Sequence, residues 1–337
     1  MLERMLSGRT IPAVGLGCMN YAMGYLPVLD DDAAGALLRQ AVELGYVHFD
    51  TADVYGKGRS EELIGQYLTG PNGSARGDQL FIASKCGFGW RDASGQRRID
   101  NTPENLRITC EDSLRRLGVE TIDLYYLHRW DCSTPIEDVI GTLSRFVEEG
   151  KVRTIGMSEV SARTIRAAHA VHPIAAVQSE YSLWTRNPEL GVLDACRDIG
   201  AAFVAFSPLG RGFLADGVAA DETFLDGDLR VPMPRFQGQA WSKNRRLLDP
   251  LRRIAAAHEL TTAELAMAWA LAQGDHVHVI PGTRSTAHLA ENFNAGRAAL
   301  SAETLAELDS LINQTTVIGD RYSAPMYNGI DTERFAD

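Results

Sequence analysis

The most constraining feature of this sequence is a regular alternation of short apolar runs with longer segments of helical period. The runs are residues 46–50, 80–85, 122–128, 154–158, 175–178, 202–206 and 277–280, all biased toward β-branched or aromatic residues. Between them, residues 32–43, 61–68, 103–116, 136–148, 162–170 and 188–199 place apolar side chains three or four apart, the spacing that lines one face of a helix. Thr102-Pro103 and Ser60-Glu-Glu read as helix starts. Strands separated by helices form parallel βαβ units. Seven runs plus a candidate eighth at 292–295 reach the count of a (β/α)8 TIM barrel, an α/β fold. A doubly wound dinucleotide-binding sheet is the rival. Its glycine fingerprint is approached only by Gly15-Leu-Gly17-Cys-Met-Asn20, which ends in Asn and precedes no good helix, so this segment reads as a turn.

Length leaves two options. At ~150 residues per domain, 337 residues allow two domains or one barrel. No composition shift or internal repeat marks a boundary, so the expectation is a single barrel domain over 1–337, with 319–337 as a C-terminal tail. Residues 4–14, punctuated by glycine and proline, suit an N-terminal β-hairpin over one barrel mouth. Long loops at 86–101 and 209–242 belong at the C-terminal face, and aperiodic loops of such length are usually functional or mobile.

Charge and cysteine usage exclude several function classes. With 33 Lys and Arg against 44 Asp and Glu, the formal charge is −11, which is not the footprint of a nucleic-acid or anionic-membrane binder. No apolar run approaches the ~20 residues needed to span a bilayer, and the N-terminus lacks a signal-peptide pattern. The five cysteines include no C-x-x-C pair, which reads as reduced thiols in a cytoplasmic protein. The close histidine pairs His169/His172 and His276/His278 lack ligand-spaced neighbours, so no metal is expected and packing or surface roles are assigned to them.

The strand ends carry the chemistry. Asp50, Lys85, His128, Ser158, Gln178 and Phe206 each close an apolar run, and five of the six are polar. In a parallel barrel all strand C-termini emerge on one face, where barrel enzymes keep their active sites. Singly, a Tyr usually packs, a Lys lies on the surface, an Asp caps and a His sits satisfied in a core. Together, Asp50, Lys85 and His128 with the nearby Tyr55 form a proton-transfer set. The phenol of Tyr55, with an unperturbed pKa of ~10, can protonate a carbonyl oxygen. An adjacent Lys85 ammonium would lower that pKa, Asp50 would keep Lys85 charged, and His128 would orient the substrate oxygen.

The chain resembles the aldo-keto reductases. The resemblance is carried by Gly15-Leu-Gly17, Phe49-Asp-Thr-Ala-Asp-Val-Tyr-Gly56, Ser84-Lys85, Asp123-Leu-Tyr-Tyr-Leu-His128, Gly150-Lys-Val-Arg-Thr-Ile-Gly-Met-Ser158, Gln178-Ser-Glu-Tyr181, Phe206-Ser-Pro-Leu-Gly-Arg-Gly212 and Ile280-Pro-Gly-Thr-Arg284 through Glu291-Asn292. Residues 168–173 and 181–186 resemble the branch of perakine-reductase-like and pyridoxal-reductase-like enzymes. The resemblance implies an NADPH-dependent oxidoreductase that reduces aldehydes or ketones to alcohols, with Tyr55 as general acid and Asp50, Lys85 and His128 as partners. It implies NADPH/NADP+ as cofactor, bound in extended form. Ser158 and Gln178 would meet the nicotinamide carboxamide and Phe206 its ring. Ser207, Leu209, Gly210 and Arg211 would follow the pyrophosphate. Thr283, Arg284 and His288 would face the 2′-phosphate, with Glu291 and Asn292 near the adenine. Gly17, Met19, Pro208 and Gly282 complete the expected cofactor contacts. Glu159 departs from the Asn common at its position, which puts that carboxamide contact in doubt.

Met19, Val54, Trp90, Arg129, Trp130 and part of 209–242 are expected around a small-molecule carbonyl substrate. The alternatives are an NAD(P)-dependent alcohol dehydrogenase working oxidatively, and a cofactor-binding regulatory subunit resembling potassium-channel β-subunits. The oligomeric state stays open.

Overall fold

The computed structural model describes residues 1–70, 73, 79–89, 98–219 and 222–335. The chain opens with an antiparallel hairpin, β1 (Glu3–Leu6) and β2 (Arg9–Pro12). The barrel follows: β3 (Leu16–Gly17), β4 (His48–Asp50), β5 (Phe81–Cys86), then, after the short hairpin β6 (Phe88–Gly89) and β7 (Arg98–Ile99), β8 (Ile122–Leu127), β9 (Val152–Ser158), β10 (Ile174–Glu180), β11 (Ala202–Phe206) and β12 (Val277–Ile280). The spatial order β12-β11-β10-β9-β8-β5-β4-β3 keeps the sequence order of these strands, and every pairing among them is parallel. A parallel bridge between Val14 and Val279 joins the two ends.

The eighth strand is therefore β3 at the start of the chain. Residues 292–295, expected as that strand, instead finish the helix Thr286–Asn294 and enter the turn after it. Gly15-Leu16-Gly17, read as a turn, contributes β3. The strand hides in the sequence because its glycines carry no hydrophobic pattern, and the glycines are there for space. A Cβ on Gly15 would lie 2.6 Å from the buried imidazole Nδ1 of His48, and one on Gly17 would lie 2.8 Å from the carbonyl oxygen of Ile280. Two strands can close the ring here only because one of them has no side chains in the way.

The helices mostly follow the apolar spacing. Thr102 accepts a hydrogen bond from Asn105 N and opens the helix Pro103–Leu117 as expected. The other expected start is corrected. Gly58 precedes the helix Arg59–Ile64, and Ser60 lies inside it, where its buried hydroxyl donates to the carbonyl of Cys18 at 3.0 Å and accepts from Thr51 Oγ1 at 2.8 Å. That hydroxyl ties β3 to the segment after β4.

The hairpin closes the N-terminal end of the barrel. Leu6 and Ile11 pack with Phe81, Leu124, Tyr126 and Val204. Arg4 donates to the carbonyls of Val277 and Leu271, and Arg9 to that of Leu80. His48 and His278 are fully buried among these layers, and burial pushes both imidazoles down to about 3. They are neutral packing groups. At the opposite end, the described residues of the stretch 209–242 carry two short 3-10 turns and the start of the helix Gly238–Asn244. Phe213 stacks on Trp184 with centroids 4.1 Å apart, and Phe236 and Trp241 pack beside them. No helix among the described residues is long and apolar enough to cross a membrane.

Closure by a glycine strand makes a specific prediction. Gly15→Ala should lower the guanidinium unfolding free energy by about 1–3 kcal/mol through overpacking against His48. Adding His48→Ala should recover part of that loss, so the double variant should be more stable than the summed single effects. Strict additivity would show that His48 is not what excludes a side chain at Gly15.

Candidate functional site

The C-terminal ends of the strands open into a groove of ≈ 1100 Å³. Asp50, Tyr55, His128, Ser158, Gln178 and Phe206 all line it, and Lys85 sits beneath, fully buried. The barrel register brings the charged pair together. Asp50 pairs across from Ala83, and Lys85, two residues further along β5, points to the same face one layer higher. Lys85 Nζ donates to Asp50 Oδ1, to the Thr51 carbonyl at 2.7 Å and toward the Tyr55 hydroxyl at 3.4 Å. The second carboxylate oxygen of Asp50 accepts from Gln178 Nε2 at 2.7 Å. The ring of His128 meets those of Tyr55 and Phe88 edge-on, at 5.8 and 5.2 Å.

Electrostatics correct one expectation. Burial would depress the Lys85 ammonium, but Asp50 and Tyr55 outweigh it and hold Lys85 above its ordinary range. Burial raises the Tyr55 phenol, and the lowering influence of Lys85 does not overcome it, so Tyr55 stays above its ordinary value. The phenol is thus kept as an acid rather than released as phenolate.

The remaining expected residues form the walls. Gly17, Met19, Ser207, Pro208, Leu209, Arg211, Gly282, Thr283, Arg284, His288, Glu291 and Asn292 all line the groove, whereas Gly210 is buried outside it, against Trp184 and Leu214. Some of these groups are partly committed within the protein. Ser158 Oγ accepts from Arg129 Nη1 at 3.1 Å, and the same Nη1 donates to the His128 carbonyl at 2.6 Å. Arg211 Nη2 donates to Glu180 Oε2 at 2.8 Å and to the Tyr322 hydroxyl at 2.7 Å. Arg284 Nη1 donates to the carbonyls of Tyr25 and Pro27 and so braces that segment.

The groove fits an extended nucleotide cofactor. Its length runs from the Asp50–Lys85–Tyr55 cluster to the start of the helix Thr286–Asn294, where Ser285 caps and Thr283 Oγ1 turns back to Ser285 N at 3.0 Å. A helix start with hydroxyls and a guanidinium is a favourable place for a phosphate. At the far end, Asn292 Oδ1 is buried with no hydrogen-bond partner among the described residues, an acceptor matched to an amino group of a base.

At the mouth, Val54 and Arg129 line the groove as expected. Trp130 does not; its indole nitrogen donates to the Thr134 carbonyl at 2.8 Å. Trp90 lies outside the described residues. Tyr25 and the tail residues Tyr322, Pro325, Met326 and Asn328, which the sequence does not single out one by one, also form part of the wall, and Thr51, fully buried, gives its carbonyl to Lys85. Nothing local in their sequence marks them, because each reaches the site through long-range packing. Cys18, Cys86, Cys110 and Cys196 are buried free thiols, and Cys132 is an exposed one.

The pair has a measurable consequence. Lys85→Met strands the Asp50 carboxylate in the barrel and should cost about 3–5 kcal/mol in urea unfolding near neutral pH. Without its countercharge Asp50 binds a proton more tightly in the folded state, so the deficit should narrow as the pH falls from about 8 to about 5. A deficit independent of pH would show that Asp50 is not the group left uncompensated.

The comparisons with known proteins agree with this arrangement. Residues 13–313 match the model of the aldo/keto reductase family. An NADP(+) aldo-keto reductase of Schizosaccharomyces pombe is 41% identical over 322 residues, which are 95% of this chain and 94% of that protein. Among solved structures, a glycerol dehydrogenase from Gluconobacter oxydans superposes with a TM-score of 0.83 at 28% identity, covering 92% of this chain and 94% of that one. An aldo-keto reductase from Klebsiella pneumoniae, solved in complex with NADPH, superposes at 0.70 with 25% identity, covering 96% of this chain and 99% of that one. By family model, by sequence and by fold, this chain belongs to the aldo/keto reductase family.

Proposed function

We propose that this protein is an NADPH-dependent reductase of aldehyde or ketone carbonyls. The observation that carries this reading is the Tyr55 hydroxyl at the groove wall, 3.4 Å from a fully buried Lys85 that Asp50 holds. NADPH fits the groove between these groups and the helix Thr286–Asn294, and when bound it supplies the hydride. Ser158 and Gln178 would hold the carboxamide end, Phe206 the ring, and Ser207, Pro208 and Leu209 the pyrophosphate. Thr283 and Arg284 would hold the 2′-phosphate, with His288 beside them, and Glu291 and Asn292 the base.

The chain's own residues do the proton chemistry. The substrate oxygen sits between the Tyr55 hydroxyl and the His128 ring. As negative charge develops on that oxygen, the Tyr55 O–H donates its proton. The phenolate left behind is stabilised by the Lys85 ammonium, which Asp50 and the Thr51 carbonyl hold in place. A phenol held above its usual pKa remains protonated at physiological pH, yet it is a far stronger acid than an alcohol, so the transfer runs downhill.

Two predictions follow this mechanism. Tyr55→Phe should bind NADPH with nearly unchanged affinity and lose roughly 10²–10⁴-fold in carbonyl reduction, the typical worth of a general acid. In the unsubstituted protein, the reduction rate should stay flat up to about pH 9 because the phenol keeps its proton beyond its reference pKa of ~10. NADPH absorbance over a panel of aliphatic and aromatic aldehydes, quinones, sugars, pyridoxal and polycyclic ketones provides the assay. Tight NADPH binding with no turnover on any of them would favour a cofactor-binding regulatory protein.

A further prediction concerns cofactor choice. NADPH should bind more tightly than NADH, and Arg284→Ala should erode the difference by about tenfold to a hundredfold, the value of one charge-assisted hydrogen bond. Equal quenching by both cofactors in the unsubstituted protein would remove Arg284 from this role.

A further inference from the structure

Glu159 follows Ser158 directly at the end of β9. Its backbone is left-handed, with φ at 57°, a conformation uncommon outside glycine and asparagine. Its fully buried carboxylate faces the C-terminal tail. Arg321 Nη1 and Nη2 donate to it at 3.2 and 2.5 Å, Glu180 N at 2.8 Å and Thr332 Oγ1 at 3.3 Å. The Glu159 carbonyl accepts from Asp331 N at 2.8 Å. One residue therefore grips the tail at two places, near 321 and near 331.

Two neighbouring contacts strengthen each grip. The Tyr322 hydroxyl donates to Glu180 Oε2 at 3.0 Å, beside the Arg211 contact. Asp331 Oδ2 accepts from Ser161 N, Ser161 Oγ and Thr164 Oγ1 at 3.0, 2.7 and 2.6 Å. Between the two grips, Tyr322, Pro325, Met326 and Asn328 form the tail's share of the groove wall. That share is largely apolar and lies on the same groove as Tyr55.

We propose that Glu159 is a positioning residue for substrate: through Arg321 it fixes the tail wall of the pocket, and it does not bind the cofactor. The wall suits the apolar body of a bulky or aromatic carbonyl compound, whereas a small aliphatic aldehyde would not reach it. The kinetic part of this inference rests on the carbonyl-reductase reading; the structural part does not.

Three measurements on Glu159→Gln test it. Hydrogen exchange of amides in 319–335 should accelerate by about tenfold or more, because removing one partner of a buried ion pair leaves the other uncompensated. The NADPH dissociation constant, from fluorescence quenching, should stay within about twofold, as expected for a group that makes no differential contact with the ligand. KM for a bulky aromatic aldehyde should rise about tenfold while KM for propanal changes little, the pattern of a lost contact to the distant part of the larger substrate. Glu159→Asn, which suits the left-handed backbone, should give the same pattern. Arg321→Lys, which keeps the charge but loses the two-pronged contact, should show the same pattern in weaker form than Glu159→Gln.

Should the Gln variant fail to fold, Arg321→Met poses the same question from the tail side. Tail exchange as slow as in the unsubstituted protein overturns the proposal. So does a loss of NADPH affinity equal to the rise in KM, which would return Glu159 to the cofactor. A fall in melting temperature with exchange and KM unmoved would reduce the pair to a structural contact and also overturn it. If the unsubstituted protein reduces no carbonyl at all, the function reading fails, while tail exchange and NADPH affinity still decide the role of Glu159.

Discussion

The site depends on one buried ion pair. Lys85 is 0% and Asp50 2% exposed, and taking two such charges out of water costs several kcal/mol each. A hydrophobic pair of similar volume would cost the fold less. The barrel tolerates the charges because it surrounds them with partners. Lys85 has the Asp50 carboxylate, the Thr51 carbonyl and the Tyr55 hydroxyl. Asp50 has Lys85 on one oxygen and Gln178 on the other. These partners come from β4, the turn after it, β5 and β10, so the pair can form only when the whole ring is in register. In the proposed mechanism its return is catalytic: a fixed positive charge beside the phenol, ready when the proton leaves.

Register explains what could be read in advance. A parallel barrel repeats one motif, so strand runs, helical spacing and polar strand ends were visible residue by residue. Asp50, Lys85, His128, Ser158 and Gln178 stood out because each breaks an apolar run at its last position. What could not be read depends on absence or on distance. β3 is two residues long and owes its place to missing side chains at Gly15 and Gly17, which leave no periodic trace. Residues 292–295, Asn-Phe-Asn-Ala, alternate polar and apolar side chains as a short strand does, although the first three finish the helix Thr286–Asn294. Gln178 was expected only at the cofactor, but its Nε2 is also the second donor to Asp50, a contact between residues 128 positions apart.

The same limit hid the contacts that hold the tail. Glu159 and Arg321 are 162 positions apart, and neither has a local pattern that names the other. Seen alone, Glu159 looks like a poor cofactor ligand, an acid where an amide would serve better. Its left-handed backbone instead turns the carboxylate into a pocket of donors: one guanidinium, one hydroxyl and one amide.

Glu180 shows why two acids can sit side by side there. Burial alone would raise its pKa, but Arg211, Arg321 and Arg235 hold it down at about 2. Its folded pKa lies below that of an exposed glutamate, near 4.3, so its stabilising contribution is complete above that value and is lost as the pH falls toward about 2. Hydrogen bonds from Arg321 and Glu180 N to Glu159, and from Arg211 and Tyr322 to Glu180, form a lattice joining β9, β10, the segment at Arg211 and the tail. Ser158 and Phe206 border that lattice on the groove side. The nicotinamide end of the proposed cofactor site and the tail wall of the substrate pocket are therefore two faces of one charged layer, and the barrel sets the distance between them.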